Sequence, residues 1–401
     1  MIQDNRQQID GDKDFQWAFY LNRIFLTILG VWPSDEKESR LKSLRLPLMF
    51  IAPVCGICLP ATYALIQVQD QLNLVIDNLL INISHLVAAA KIFLLWYYRS
   101  NYIMLIKWSE INWSRCTTSW ERQLMAKQAS RGRFLSGFSY ITIFIHVNGF
   151  VWSPVFDLGI RIVNNITDPN PQRYLPVQSY YPYDSNKSPY YELTYFSQIF
   201  SICLSSIAYA SVDTLFNVLV FHASGQSEIL AENMSRLGDR QEHQSLQCKV
   251  KELIDSHNEL ARFVMTIEKS FTVTIFIQLF GAVILVCSSI YACVKAINEN
   301  SSIKQLSTLV LGAVNVNEHI VIYCLTCEIL AANSLEIFNG IYSSKWYNLP
   351  AKEARYVTMV LARTRYPLRL SAGKFFYLSM NSYIQILKTT AGYISMLLTV
   401  S

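Results

Sequence analysis

Residues Ile341 to Tyr393 read IYSSKWYNLPAKEARYVTMVLARTRYPLRLSAGKFFYLSMNSYIQILKTTAGY. A charged helical stretch leads to a Gly hinge and then into an apolar helix that runs from Phe376 to Val400. At 1.5 Å rise per residue that helix covers the roughly 30 Å hydrocarbon core of a bilayer. Six runs of the same kind precede it, Leu48 to Val68, Leu74 to Trp96, Phe134 to Phe156, Phe196 to Phe221, Phe271 to Val294 and Leu306 to Leu330. The pattern predicts an all-α membrane protein with seven transmembrane helices.

Composition agrees. Hydrophobic residues make up 52% of the 401 and charged residues 16%, against roughly 25% charged in soluble domains. A soluble chain of this length usually divides into two or three domains, whereas here the charges collect between apolar runs. The chain divides into an arm (1–46) with a short interfacial helix, a six-span bundle (47–330), a charged helical region (331–375) and the last span (376–401).

Lys and Arg near span ends mark the cytoplasmic side. Seven lie in the N-terminal arm, seven between Tyr97 and Arg133, six between His222 and Ser270 and seven between Ala331 and Lys374, which is 27 of the 34. The intervening stretches hold five, and Lys91 and Lys388 lie inside spans. The N terminus is therefore expected to be cytoplasmic and Ser401 extracellular, the inverse of a G-protein-coupled receptor. None of the nine cysteines falls in the long outer loop. The pairs Cys55/Cys58 and Cys324/Cys327 lie in apolar spans, where Cys packs as a small hydrophobe. Trp17 to Trp32 is too short to span and carries Arg23, so it is expected to lie at the interface or pack on the bundle, ending at Gly30-Val31-Trp32-Pro33.

Six Asn-x-Ser/Thr sequons occur, at Asn82, Asn112, Asn165, Asn186, Asn233 and Asn300. Asn82 lies in a span and Asn112 and Asn233 are expected in the cytoplasm, which leaves Asn165 and Asn186 of the outer loop as the glycosylation candidates, Asn165 ahead, with Asn300 less well placed. From His222 to Ser270 polar helix is expected, Glu228, Glu232, Arg236 and Arg240 standing at four-residue steps. Ala351 to Leu370 is amphipathic as well. Such helices either form a solvated, self-packed cap or meet partners.

The last span carries Gln385, Thr389, Gly392, Met396 and Thr399 at steps of four, three, four and three, a small and polar stripe on one face. It reads either as close helix packing through small residues or as the lining of a water-filled path. Lys388 lies about 60° from the stripe and fits a structural, snorkelling role. Asp77, Asn78, Asn82 and His85 gather in the second span, and Asn315, Asn317, Glu318 and His319 in the sixth. Ionisable groups at membrane depth face inward and pair, so a His85–Glu318 contact is expected, with an ion site as the sharper alternative.

Enzymatic chemistry finds no support. The sequence has no Walker, Rossmann or zinc-protease pattern, its six histidines lack metal spacing, and its net charge of +5 is accounted for by the basic span flanks. No metal, cofactor or nucleic-acid partner is expected.

The order Tyr342-x-x-x-Trp346-Tyr347-x-Leu349-Pro350, then Pro367-Leu-x-Leu-x-Ala-Gly-Lys-Phe-Phe376, then Leu378-Ser379 followed by Ile386-Leu387-Lys388-Thr389 resembles the C-terminal signature of insect odorant receptors. A Gly-x-Trp-Pro element like that at Gly30 is also familiar there. The resemblance implies a ligand-binding subunit of an odorant-gated cation channel in the plasma membrane of olfactory dendrites. It would assemble as a heterotetramer with the odorant receptor co-receptor, through an anchor built from the cytoplasmic helices. It implies a mostly apolar pocket for a small volatile ligand in the outer half of the subunit. Candidates are His146, Gly149, Phe150 and Trp152 in the third span, Phe196, Phe200 and Leu204 in the fourth, and Ser288 and Tyr291 in the fifth, with Gly149 making room between rings. It also implies that the last helix lines the path for permeant cations, with the outer gate at Met396 and Val400 and a selectivity position at Thr399. The co-receptor of that family carries Val and Gln where Met396 and Thr399 stand, so its copies would supply much of the narrowest point. A gustatory receptor is the alternative, disfavoured because Gly392-Tyr393 is followed by no Gln-Phe. A secondary transporter is more distant, since no inverted repeat is visible.

Overall fold

The computed structural model describes residues 11–33, 45–156, 175–237, 246–299 and 303–400. Asn165, Arg240, Asn300 and Ser401 lie outside them. The helices are α1 (Tyr20–Leu29), α2 (Arg45–Gln67), α3 (Leu72–Tyr97), α4 (Arg99–Arg115), α5 (Ser119–Phe156), α6 (Tyr190–Ser235), α7 (Leu246–Asn298), α8 (Ile303–Ser343), α9 (Ala351–Thr364) and α10 (Met380–Val400). Two two-residue strands, β1 (Ser371–Ala372) and β2 (Phe376–Tyr377), pair antiparallel between α9 and α10.

Among the described residues five helices are long and apolar enough to cross a bilayer: Arg45–Gln67, Leu74–Tyr97, Tyr190–Ser235, Gln247–Asn298 and Leu309–Ser343. The predicted third and seventh spans fall in α5 and α10, whose apolar residues are interrupted by Ser136, Ser139, Asn148, Gln385, Lys388 and Thr389. Polar groups at this depth are costly against lipid and tolerable where a helix faces protein or water. The 46 residues of α6 make about 69 Å of helix, more than twice the bilayer core. Helices α5 to α8 therefore continue past the membrane without a break, and the polar stretch after Phe221 is the same helix as the span before it.

Aromatic rings hold the long helices together. Phe216 of α6 meets Phe271 of α7 and Tyr323 of α8 edge-on, with centroids 5.2 and 5.1 Å apart, and Tyr102 of α4 meets Phe271 at 4.9 Å. All four are fully buried, and each such side chain contributes about 2–3 kcal/mol of burial. The short helix α1 is packed on the bundle: Leu26 and Leu29 are buried, Asn22 Nδ2 donates to Thr214 Oγ1 at 3.1 Å, and Phe25 stacks on Tyr140. It ends where Gly30 turns left-handed at φ 74° and its N–H closes on the carbonyls of Leu26 and Thr27.

Two local features fix the two ends of the bundle. In α2 a π-helical turn spans Val54–Cys58. Pro60 has no N–H to offer the carbonyl four residues back, and that carbonyl, Gly56 O, accepts instead from Tyr181 Oη at 3.3 Å. At the other end the hairpin before α10 is pinned to α7, as Ser371 N and Oγ both donate to Glu268 and Gly373 N donates to Thr272 O at 2.9 Å. Gly373 sits at φ 60°, and a Cβ there would press on Phe276 at 2.9 Å, so the Gly hinge of the motif is a conformational requirement.

Candidate functional site

A cavity of about 210 Å³ opens among α3, α5, α6, α7 and α8. The residues that face it recur at helical spacing: Asp77, Ile81, Ser84, His85 and Ala88 on α3, Ile202, Ser205, Ser206 and Tyr209 on α6, Leu285, Ser289, Ala292 and Ala296 on α7. Helix α5 adds Ile143, His146 and Val147, and α8 adds Leu309, Gly312, Asn315 and Val316. Walls that are mostly apolar, with polar groups set among them, suit a small organic guest held by dispersion and shape. Gly312 leaves the space that His146 occupies: a Cβ there would stand 3.4 Å from His146 Cε1.

One side of the cavity meets residues 175–181, held by one buried glutamine. Gln198 Oε1 accepts from Val177 N at 3.0 Å, and its Nε2 faces Val177 O, Ser179 Oγ and Tyr181 Oη within 3.3 Å. Val177 thereby joins the cavity wall. At the rim Lys295 pairs with Glu299 at 3.5 Å.

The opposite side rests on a charge cluster. Lys91 Nζ lies 2.5 Å from Asp213 Oδ1, with the two side chains 1% and 2% exposed. His319 Nδ1 lies 3.0 Å from Asp213 Oδ2, and Tyr323 Oη donates to Asp213 Oδ1. Lys91 Nζ also sits 3.5 Å from the centroid of the Tyr209 ring, whose hydroxyl accepts from Gln278 Nε2. Tyr209 is thus cavity floor on one side and lid of the buried ion pair on the other, and the cluster ties α3, α6, α7 and α8.

Of the residues expected to form the pocket, His146 and Tyr291 line the cavity. The others do not join them. Phe196 and Phe200 are 68% and 62% exposed and Trp152 is 47% exposed, all turned outward from the subunit. Their helical spacing is that of an outer face. Leu204 and Ser288 are buried against neighbouring helices without lining the cavity, whose wall takes the adjacent Ser205 and Ser289 instead. No described residue lies within 4 Å of a Cβ built on Gly149. The side chain of Phe150 lies outside the described residues. The expected His85–Glu318 contact is also replaced: His85 Nδ1 donates to Ile81 O at 2.9 Å, and Glu318 Oε1 accepts from Ser139 Oγ at 3.1 Å.

On α10 Tyr383, Ile386, Thr390 and Ile394 are the buried or half-buried face, whereas Gln385, Lys388, Thr389, Gly392 and Met396 are exposed. The polar stripe therefore points away from the rest of its own subunit. The side chains of Thr399 and Val400 lie outside the described residues. Asn186 is half-buried in a turn in which its N–H donates to Asp184 Oδ1 at 3.1 Å. All described cysteines are free thiols, and burial pushes Cys116, between α4 and α5, up to about 12. Among the described residues no group of His, Cys, Asp or Glu is arranged to hold a metal ion.

The sequence profile of the 7tm odorant receptor family matches residues 71–391. The chain belongs to that family. Its relatives include odorant receptor 63a of Drosophila melanogaster, 24% identical over 68% of this chain and 65% of that one. Odorant receptor 22c of the same fly is 20% identical over 95% and 96%, and odorant receptor Or1 of Anopheles gambiae 19% over 95% and 94%. The fold is that of the insect olfactory receptor OR5 from Machilis hrabei, solved in complex with eugenol, with a TM-score of 0.82 over 98% of this chain and all of that one at 17% identity. This odorant receptor is thus a multi-pass membrane protein and not an enzyme.

The sequence reading missed the Lys91–Asp213 pair and the α3 and α8 walls. Both had a signal. Lys91 and Asp213 stand in apolar runs, and two opposite charges at membrane depth call for each other. The residues His85 and Asn315, noted as costly polar groups, are on the cavity faces.

Proposed function

We propose that this receptor is the ligand-binding subunit of an odorant-gated cation channel in the plasma membrane, working in a heterotetramer with the odorant receptor co-receptor. The observation that carries it is the mostly apolar cavity among α3 and α5 to α8, in a fold shared with an olfactory receptor that was solved with eugenol. The outward-turned stripe of α10 supports the channel. A face that is polar yet unburied within the subunit suits a water-filled path shared with neighbouring copies. The basic flanks support a cytoplasmic N terminus, and the long inner extensions of α5 to α8 support an anchor for assembly.

Odorant-evoked currents in cells expressing the chain with and without the co-receptor test this reading. Ala292→Phe, on the α7 wall, is expected to lower potency for active odorants by about ten-fold at matched surface levels, since overfilling a packed site costs ~1–3 kcal/mol. Gly149→Leu is expected to change nothing. Unaltered responses in the first variant, or lost responses in the second, would remove the cavity from the odorant's path. For the pore, Thr399→Lys is expected to reduce cation current, and Met396→Ala to raise basal current, without loss of surface protein. Wild-type conductance and selectivity in both would place the stripe in helix packing instead.

A further inference from the structure

The polar groups of the cavity wall differ in what they can offer a guest. Ser84 Oγ donates to Leu80 O at 3.0 Å, Ser206 Oγ to Ile202 O at 2.8 Å and His85 Nδ1 to Ile81 O at 2.9 Å. A backbone carbonyl only accepts, so each of these groups commits its proton to its own helix. His85 is then the tautomer with its proton on Nδ1 and a lone pair on Nε2, and the two serine oxygens keep acceptor capacity alone. Among the described residues no hydrogen bond engages His85 Nε2. Ser205 has the opposite need. It is 3% exposed and lines the same cavity, and its Oγ is buried with no hydrogen-bond partner among the described residues. Leaving such a hydroxyl unpaired is unfavourable, and its proton is the one the neighbouring serines no longer have to give.

We infer that the cavity selects neutral hydroxyl-bearing odorants, alcohols and phenols, whose O–H donates to His85 Nε2 and whose oxygen accepts from Ser205 Oγ. This rests on the cavity being the odorant site. Ketones, esters and ethers can accept from Ser205 Oγ, and from Asn315 Nδ2, which is also buried on this wall without a hydrogen-bond partner among the described residues, but they leave His85 Nε2 unmet. Hydrocarbons leave both groups unmet. Carboxylates have no proton to donate, and Asp77 lines the cavity together with the Lys295–Glu299 pair. Nonspecific apolar filling would treat all of these alike if their volumes matched.

Matched sets separate the two cases in cells co-expressing the receptor and the co-receptor: hexanol with methyl pentyl ether and heptane, and p-cresol with anisole and p-xylene, extended to longer members of each set. The hydroxyl member of each active set is expected to be about ten-fold or more stronger in potency than its ether and hydrocarbon partners, the effect of one well-placed hydrogen bond against an unmet buried group. His85→Phe keeps the ring but removes the acceptor, and is expected to bring the hydroxyl member down to the level of the ether. His85→Gln, which restores an acceptor, is expected to recover part of the difference. Equal or greater potency of ethers and hydrocarbons on the unmodified receptor overturns the inference, and so does hydroxyl preference that survives His85→Phe. Potencies that are uniform within each set but fall with Ala292→Phe would overturn the hydroxyl preference while leaving the cavity as the odorant site. Silence toward every set with normal surface protein would count against both.

Discussion

Asp213→Asn is expected to remove most of the receptor from the cell surface and to lower its thermal unfolding temperature in detergent by several degrees or more. The carboxylate meets Lys91 Nζ at 2.5 Å and His319 Nδ1 at 3.0 Å and accepts from Tyr323 Oη, with almost no exposure. Taking away one partner of a buried pair leaves the other charge with neither water nor counter-ion, a loss of about 3–5 kcal/mol. That is a large part of the total stability of roughly 5–15 kcal/mol typical of folded proteins. Lys91→Met is expected to do similar harm from the other side. The double variant, Lys91→Met with Asp213→Asn, removes both charges and keeps an amide oxygen for Tyr323 Oη, so it should be more stable than either single variant. Surface labelling and unfolding temperatures of the four proteins form a cycle that isolates the pairwise term. Single effects that simply add in the double variant would mean that the pair is not a unit.

The pair also adjoins the cavity wall through Tyr209. The Tyr209 ring covers Lys91 Nζ at 3.5 Å and at the same time forms part of the cavity wall. Any tilt of this ring changes the cover of a charge whose counter-ion is Asp213. The cluster spans four helices, three of which continue past the membrane, so the geometry offers one connected body between guest and inner helical region.

How much of this was legible in the sequence depended on whether the signal was local. The spans were readable because the bilayer imposes one length on every crossing helix, and Leu74 to Trp96 coincides closely with the helix that runs to Tyr97. The end of α1 was readable because a Gly followed by Trp-Pro closes a helix by backbone geometry alone. The family signature was readable because several blocks between Tyr342 and Thr389 agree in order. The pocket was less so. Phe196 and Phe200 have the size and spacing of a pocket wall, but the same spacing describes a lipid-facing ridge, and one helix's period does not say which of its faces meets its neighbours. His85 and Glu318 were paired on charge and depth, yet the nearer solution for each was a group on its own or an adjoining helix, Ile81 O and Ser139 Oγ. What decided these cases was helix rotation, which is set by tertiary packing and not by composition.

Helix rotation and approach are set most tightly where α6 and α8 cross, and Gly340→Ala is expected to be among the most damaging single-methyl changes in the chain. A Cβ built on Gly340 would lie 2.4 Å from Ala231 O and 3.2 Å from Ala231 C, inside any allowed contact. The obstruction is backbone of a continuous helix, so no rotamer change relieves it, and one of the two helices has to move. Small residues allow such close approach, and overfilling it costs ~1–3 kcal/mol or more. The helix propensity of Ala, better than that of Gly by about 1 kcal/mol, offsets only part of this. Gly137 and Gly149 provide the internal control, since no described residue lies within 4 Å of a Cβ at either. Gly137→Ala and Gly149→Ala are therefore expected to leave the receptor unchanged or to stabilise it by about 0.5–1 kcal/mol. The damage at Gly340 should reach the site as well, because the same helix carries Gly312 and Asn315 on the cavity wall and His319 on the charge cluster. Unfolding temperature and odorant potency measured on the three alanine variants decide the matter. A Gly340→Ala receptor as stable and as responsive as the Gly137→Ala one would show that α6 and α8 do not approach as closely as this crossing requires.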